Sequence, residues 1–376
     1  MSNIYLEVNG ERYTGFTNIQ IDKSIPALCG KFTFATTVKE SPTGVIQNDL
    51  KVQDSVRIFI DDNVVLTGYI EILNESYSTS EHEIVVQGRE KTSDLVDCSI
   101  ISKSYLQKDF TKLARIVLKD NGYNNISVIN KVGNLPVLTV DASEKNSSEL
   151  PNNEITTQTS ESIAEFLYRY ARQIQVLLLT NEDGNIEITK EGSNSMSGDL
   201  ISSGDQANIL SASIGISTAE RFRTIQIVSQ GSSSDFSEES IKQDATKTDT
   251  EIRSPRRKIL TVPTNSQVNS ITELANWNIN IRRAKGTRYN CKVQGFYNTR
   301  SKKELWKINN IVQINDDKCQ INGLFLIEAV TFRKDLNGSF TDLSIVKRGS
   351  FSAEPQITRD DNNFGEDLIA KLSEGI

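Results

Sequence analysis

The sequence predicts a mainly β protein of the α+β class: two small β-barrel-like domains flank an α/β middle region, with a helical tail at the C-terminal end. Three observations predict it. Apolar and polar residues alternate at period two towards both ends of the chain, and well-formed stripes of helical period lie in between. The 376 residues also exceed one ordinary domain, at roughly 100–200 residues per domain.

Residues 1–97 read as the first β-barrel. Ile4, Leu6 and Val8 alternate, and Asn9-Gly10 supplies a hairpin turn to a return strand with Tyr13, followed by Phe16, Ile19 and Ile21. Lys31–Ala35 and Val56–Ile60 are further strands; Asp61-Asp62-Asn63 turns the chain into Val64–Ile70, and His82–Gln87 closes the set. Regularly spaced short strands fit a small barrel or sandwich.

Residues 98–200 change character. Phe110, Leu113, Ala114, Val117 and Leu118 recur at helical spacing, and Asn121-Gly122 ends that helix through a left-handed cap. A second helix carries Ile163, Phe166, Leu167, Tyr170 and Ile174, with Ser160 placed to cap it. Strand Val176–Leu179, the turn 181–185 and strand Ile186–Ile188 complete an α/β unit, while Asp141–Gln158 is a polar loop.

Residues 201–350 read as the second barrel, interrupted by a polar and helical insertion at 231–287. Glu220–Val228 is a strand; Gly231–Lys258 is too polar to bury a core and reads as a loop. Ser270–Glu273 is a capping box that starts a helix with Leu274, Trp277 and Ile281 on one side. Strands follow at Tyr289–Val293, Ile311–Ile314, Leu324–Ile327, Ala329–Phe332 and Thr341–Val346, with a turn at Asp335–Gly338. Residues 351–376 form an extended tail ending in an apolar helical stripe of Phe364, Leu368, Ile369 and Leu372. A short helix is marginal alone in water, so this stripe is expected to dock, either back on its own chain or, the favoured reading after so extended a linker, onto a partner.

Composition narrows the function. Hydrophobic residues make up 37% and charged residues 24%, enough for a core in each domain. The net charge of −7 argues against a protein that grips nucleic acid by neutralising phosphates. Cys29, Cys98, Cys291 and Cys319 lie far apart, without the close spacing of a zinc site or redox dithiol, and are expected to be reduced. Neither a secretory signal nor an apolar run long enough to span a bilayer is visible, so no membrane anchor is expected. His82 is the single histidine, which removes multi-His metal sites and leaves little room for a His-activated nucleophile. No phosphate-cradling glycine motif is present, and no cofactor is expected.

Three segments carry a family resemblance: Gly88-Arg89-Glu90-Lys91-Thr92-Ser93-Asp94-Leu95-Val96-Asp97-Cys98; Glu161-Ser162-Ile163 through Ile188; and Gly295 through Val346, with Leu305-Trp306, Asn309-Asn310, Gly323–Ile327 and Val330–Phe332. In this order they resemble the baseplate hub proteins of Mu-like contractile phage tails, and the third is similar to the hub half of type VI secretion spike proteins. Gln175 and Phe296 depart from the residues common at those positions, a glycine and a tryptophan. The resemblance implies a structural protein and not an enzyme: a homotrimer whose six barrels adapt a hexameric tail tube to a trimeric central spike. It implies wedge proteins as neighbours and a channel through which genome DNA passes without specific binding. The expected location is the virion baseplate, after assembly in the host bacterial cytoplasm. Two rival readings are a baseplate-borne cell-wall glycosidase, which needs a matched carboxylate pair, and a carbohydrate-binding tail protein using Tyr77, Tyr105 or Tyr297.

Overall fold

A computed structural model describes residues 3–38, 50–79, 82–106, 109–135, 154–174, 176–193, 196–230, 244–263, 271–298 and 304–351. Gln175 and the tail stripe Phe364, Leu368, Ile369 and Leu372 lie outside these residues.

Strands β1 (Ile4–Val8) and β2 (Glu11–Tyr13) form the hairpin expected at Asn9-Gly10, whose φ angles are 53° and 85°. Two positive φ angles give the turn type whose twist matches the flanking strands. β3 (Asn18–Ser24), β4 (Lys31–Val38), β5 (Ser55–Ile60), β6 (Asn63–Tyr77) and β7 (His82–Glu90) follow. In each, alternate side chains enter one core, among them Ile19, Ile21, Phe32, Phe34, Ile58 and Val86.

A short helix, α1 (Ser93–Asp97), leads into the middle region. There β8 (Ser104–Leu106), α2 (Phe110–Asp120), β9 (Val128–Asn130), β10 (Glu154–Thr156), α3 (Ile163–Gln173), β11 (Leu177–Thr180) and β12 (Ile186–Thr189) surround a second core. Both predicted helical faces are buried in it. α2 ends at Gly122, φ 89°, as the left-handed cap required. The cap of α3 is Ser162 and not Ser160: Ser162 Oγ accepts from Glu165 N, and Glu165 accepts from Ser162 N. This reciprocal box satisfies two otherwise orphaned donors at once. Ser160 lies two residues upstream in a turn of positive φ.

The remaining elements are β13 (Met196–Ile201), β14 (Ile209–Ile216), β15 (Thr224–Gln230), β16 (Asp244–Thr248), β17 (Arg257–Pro263), α4 (Ile271–Lys285), β18 (Thr287–Gln294), β19 (Ile311–Asp316), β20 (Ile321–Asp335) and β21 (Gly338–Lys347). Three expectations are corrected here. The strand expected from Glu220 begins at Thr224, because Arg221 turns inward to pair with Asp249 and Glu251. The polar stretch 231–258 contains β16 and the start of β17, which pair on either side of β15. Their small core comes from Ile225, Ile227 and Ala275, with Phe222, Leu260 and Ile279 against it. Here α4 buries Ala275 and turns Ile279 towards that sheet, while Ser270 and the Leu274 side chain, part of the expected cap and face, lie outside the described residues. Finally, Leu324–Ile327 and Ala329–Phe332 belong to one continuous strand, β20, bulged between Ile327 and Ala329.

One 13-stranded sheet joins the two ends of the chain through pairing of β20 with β3. It contains the same ladder twice. The first copy runs β3-β4-β7-β6-β5-β1, and the second β14-β18-β21-β20-β19-β13. Every step is antiparallel in both, except that β13 lies parallel to β19 whereas β1 lies antiparallel to β5. The long strands β6 and β20 are 15 residues each, and each bulges at a glutamate, Glu71 or Glu328. In both, the bulge falls just beyond the last residue paired with the preceding strand. Both ladders feed a single hydrophobic cluster, so the two ends of the chain fold as one body.

Candidate functional site

The Gly88–Cys98 segment sits where the two ladders and the middle region meet. Gly88 and Gly68 are there because β6 and β7 approach too closely for a side chain. A Cβ on Gly88 would lie 2.0 Å from Tyr69 O, and one on Gly68 would lie 1.8 Å from Arg89 O. Arg89 forks between Glu71 at the bulge, Nε–Oε2 2.8 Å, and Asp97 at the end of α1. Its hydrogen bonds, to Asp97 first and Glu71 second, raise the guanidinium pKa still further, and Arg89 in turn holds Asp97 below the usual carboxylate range. One side chain thereby ties the bulge to the exit helix.

Glu90 is 1% exposed; its carboxylate accepts from Gly30 N at 2.6 Å and meets Lys23 Nζ at 2.7 Å. Burial pushes its pKa up against the opposing effects of Lys23 and Gly30. Thr92 Oγ1 and Thr180 Oγ1 lie 2.9 Å apart and both stand against Leu28 O, so that one hydroxyl donates to the carbonyl while the other donates to its fellow hydroxyl. Thr67 Oγ1 donates to Glu182 O at 2.8 Å, and Lys307 Nζ meets Glu182 Oε1 at 2.5 Å. Burial opposes charge on Glu182, but Lys307 outweighs it and keeps the carboxyl below its ordinary range.

The second ladder is fixed to the same region by the predicted Leu305–Asn310 segment. Asn309, with φ 62°, accepts from Gly192 N at 2.8 Å and donates to Lys190 O at 2.9 Å. The backbone of Asn309 and Asn310 brackets Ile327. Glu191 accepts from Gly349 N and Phe351 N, and Tyr297 OH donates to Asp61 at 2.5 Å across the two ladders. Trp306 is 2% exposed, and Phe296 is buried edge-on against Phe332. A cleft of about 610 Å³ opens at this junction. Its Glu182 and Glu187 are each engaged by a lysine, Lys307 or Lys131. Asp62, Asp183 and Glu304 line the same cleft, which makes it a polar seam of mixed charge.

Of the other residues singled out from sequence, His82 is half-exposed at the start of β7 and bonds Glu75 at 2.7 Å. Tyr105 is buried, which removes it from any sugar-stacking surface, whereas Tyr77 is exposed. Among the described residues no cluster of three or more His, Cys, Asp and Glu could hold a metal, and no helix is long and apolar enough to cross a membrane. Sequence reasoning missed the Arg89 fork and the Glu90–Lys23 pair. The signal was present as three charged residues in succession, Arg89-Glu90-Lys91, at the end of an otherwise alternating strand.

Known proteins match this architecture. Residues 3–90 fit the family described as Mu phage baseplate assembly protein GpP-like, N-terminal. The baseplate hub protein gp44 of Escherichia phage Mu is 25% identical over 97% of this chain and 93% of its own. The crystal structure of the 43 kDa tail protein of prophage MuSo2 from Shewanella oneidensis superposes with a TM-score of 0.76 at 27% identity, covering 93% of this chain and 99% of that one. A type VI secretion component of E. coli shares the fold alone, with a TM-score of 0.54 at 9% identity over 92% and 78% of the two chains. Over nearly its whole length, then, this chain is similar to the baseplate hub proteins of Mu-like contractile tails.

Proposed function

We propose that this chain is the structural hub of a contractile tail baseplate, acting as a homotrimer that adapts a hexameric tube to a trimeric spike. The observation that carries the reading is the repeated ladder. One chain holds two strand systems of the same pairing order, joined through β20 and β3. Two similar modules per chain present similar surfaces twice, so three chains offer six quasi-equivalent positions to a six-fold partner. The middle region, present once per chain, keeps the three-fold character that a trimeric spike requires.

The two modules are the barrel-like domains of this proposal, with genome DNA passing through an axial channel and binding nowhere specifically. Wedge proteins would pack outside. Residues 351–376 would extend to a partner, with Phe364, Leu368, Ile369 and Leu372 as the docking face and the spike as its target. No catalytic role is proposed. The seam carboxylates Glu182 and Glu187 are paired with lysines, and Glu90 is sealed, which disfavours a glycosidase. Assembly in the host cytoplasm and residence in the virion baseplate follow from the same reading. Light scattering on the purified full chain is expected to give three times the chain mass; a monomer at micromolar concentration would refute the hub reading.

A further inference from the structure

The two ladders differ in what lies along the outer edge of their long strand. Beyond its bulge, β20 pairs with β3, Ala329 opposite Ser24 through Lys334 opposite Ile19. Beyond its own bulge, β6 pairs only with β7 among the described residues, so its other edge from Glu71 to Tyr77 is free. The counterpart of β3 in the second ladder is β14, which among the described residues pairs only with β18 and forms the end of the sheet. Each ladder therefore has one edge that is filled within the chain and one that is open.

The β14 edge lacks the usual protection, and the two charges of the β6 edge, Glu71 and Glu75, are already engaged by Arg89 and His82 of the same chain. Proteins guard free edges with charge, proline or brevity, because exposed N–H and C=O groups otherwise recruit another strand. β14 is eight residues long, Ile-Leu-Ser-Ala-Ser-Ile-Gly-Ile, without a charge or a proline. Leu210 is 53% exposed and Ile216 38%, while on the β6 edge Ile72 is 45% exposed and Tyr77 88%. Two open, partly apolar edges thus stand at the places equivalent to the two sides of the β20–β3 junction.

We propose that β6 of one chain pairs antiparallel with β14 of a neighbouring copy, repeating between chains the β20–β3 junction found within each chain. This rests on the hub reading for the number of chains but names the interface independently. The repeat also fixes the register. Glu71 corresponds to Glu328 through the two bulges, so Ile72 to Tyr77 correspond to Ala329 to Lys334. Ile19 and Ile21 pair through β4 with Phe34 and Phe32, as Ala212 and Ile214 pair through β18 with Cys291 and Tyr289. Transferring the β20–β3 register sets Leu73 opposite Ile216 and Ser76 opposite Ser213. Leu73 and Ile216 then bury one another, and every junction around the ring becomes the same kind of strand pairing.

Directly opposed residues in antiparallel strands have Cα atoms about 4.5–5.5 Å apart, within disulfide range. The full-length double variant Ser76→Cys/Ser213→Cys, mildly oxidised, is expected to run as a covalent trimer on a non-reducing gel. Each single variant should run as a monomer, and Ser76→Cys/Ser211→Cys, two residues out of register, should link far less. A trimer by light scattering whose double variant stays monomeric on the gel would overturn this interface while leaving the hub reading intact. Equal linking by the out-of-register pair or by a single variant would overturn it too. A monomer by light scattering would sink both.

Discussion

Replacing Trp306 by alanine is expected to lower the unfolding free energy by about 3–5 kcal/mol, the range for emptying a large aromatic site in a core. Trp306 is 2% exposed and belongs to the cluster shared by both ladders, so the void would sit between them. Its indole N–H makes no hydrogen bond among the described residues, so the cost is one of packing rather than of a lost polar contact. Trp306→Phe should accordingly retain part of the stability. Urea denaturation followed by circular dichroism checks this; a loss below about 1 kcal/mol for the alanine variant would mean that the site collapses around the missing ring.

Lys23→Met should cost a comparable amount, about 3–5 kcal/mol near neutral pH, because it strips the counter-charge from a carboxylate sealed in the interior. Lys23 and Glu90 meet at 2.7 Å, and the carboxylate keeps only Gly30 N once the ammonium is gone. The pH dependence has a definite sign. Burial already raises the pKa of Glu90 in the folded chain, so the folded state holds that proton more tightly than the unfolded one. The stability associated with the protonated form is fully present below the unfolded carboxylate pKa, about 4.3. It is lost as pH rises through the higher folded value. Removing Lys23 raises the folded value further, so the deficit of the variant should shrink as pH falls from neutrality. Chemical melts of both proteins across that range would show it, and a deficit that grew on acidification would contradict the burial argument.

Much of the fold was legible where local chemistry is strong. Asn9-Gly10, Gly122 and Gly184 occupy positive φ angles at the expected turns and cap, and the stripes of α2 and α3 point into one core as their spacing required. Legibility failed where backbone pairing does what side chains usually signal. β16, Asp-Ala-Thr-Lys-Thr, has no apolar alternation and is held by its ladder to β15. β20 read as two strands because the bulge at Glu328 interrupts the apolar alternation without ending the pairing. The duplication itself left a faint trace: Val56-Arg57-Ile58 and Val312-Gln313-Ile314, Asp61-Asp62 and Asp316-Asp317, Ile70-Glu71 and Ile327-Glu328 occur in the same order. Their unequal spacing kept the repeat out of the residue pattern, so the two barrels are expected from the family resemblance and the shared pairing order comes from the structure. The seam was harder still, since Lys23 and Glu90, or Glu182 and Lys307, are distant in sequence and meet only through the tertiary fold.

An electron cryo-microscopy reconstruction of the purified full-length protein bears on the equivalence of the two ladders. It should resolve a ring of six β-modules at equal angular spacing around an axial opening, built from three chains, with the middle regions on one side in three-fold array. Modules of the two kinds lying at different radii, or a closed axis, would contradict the reading of one chain as two interchangeable positions.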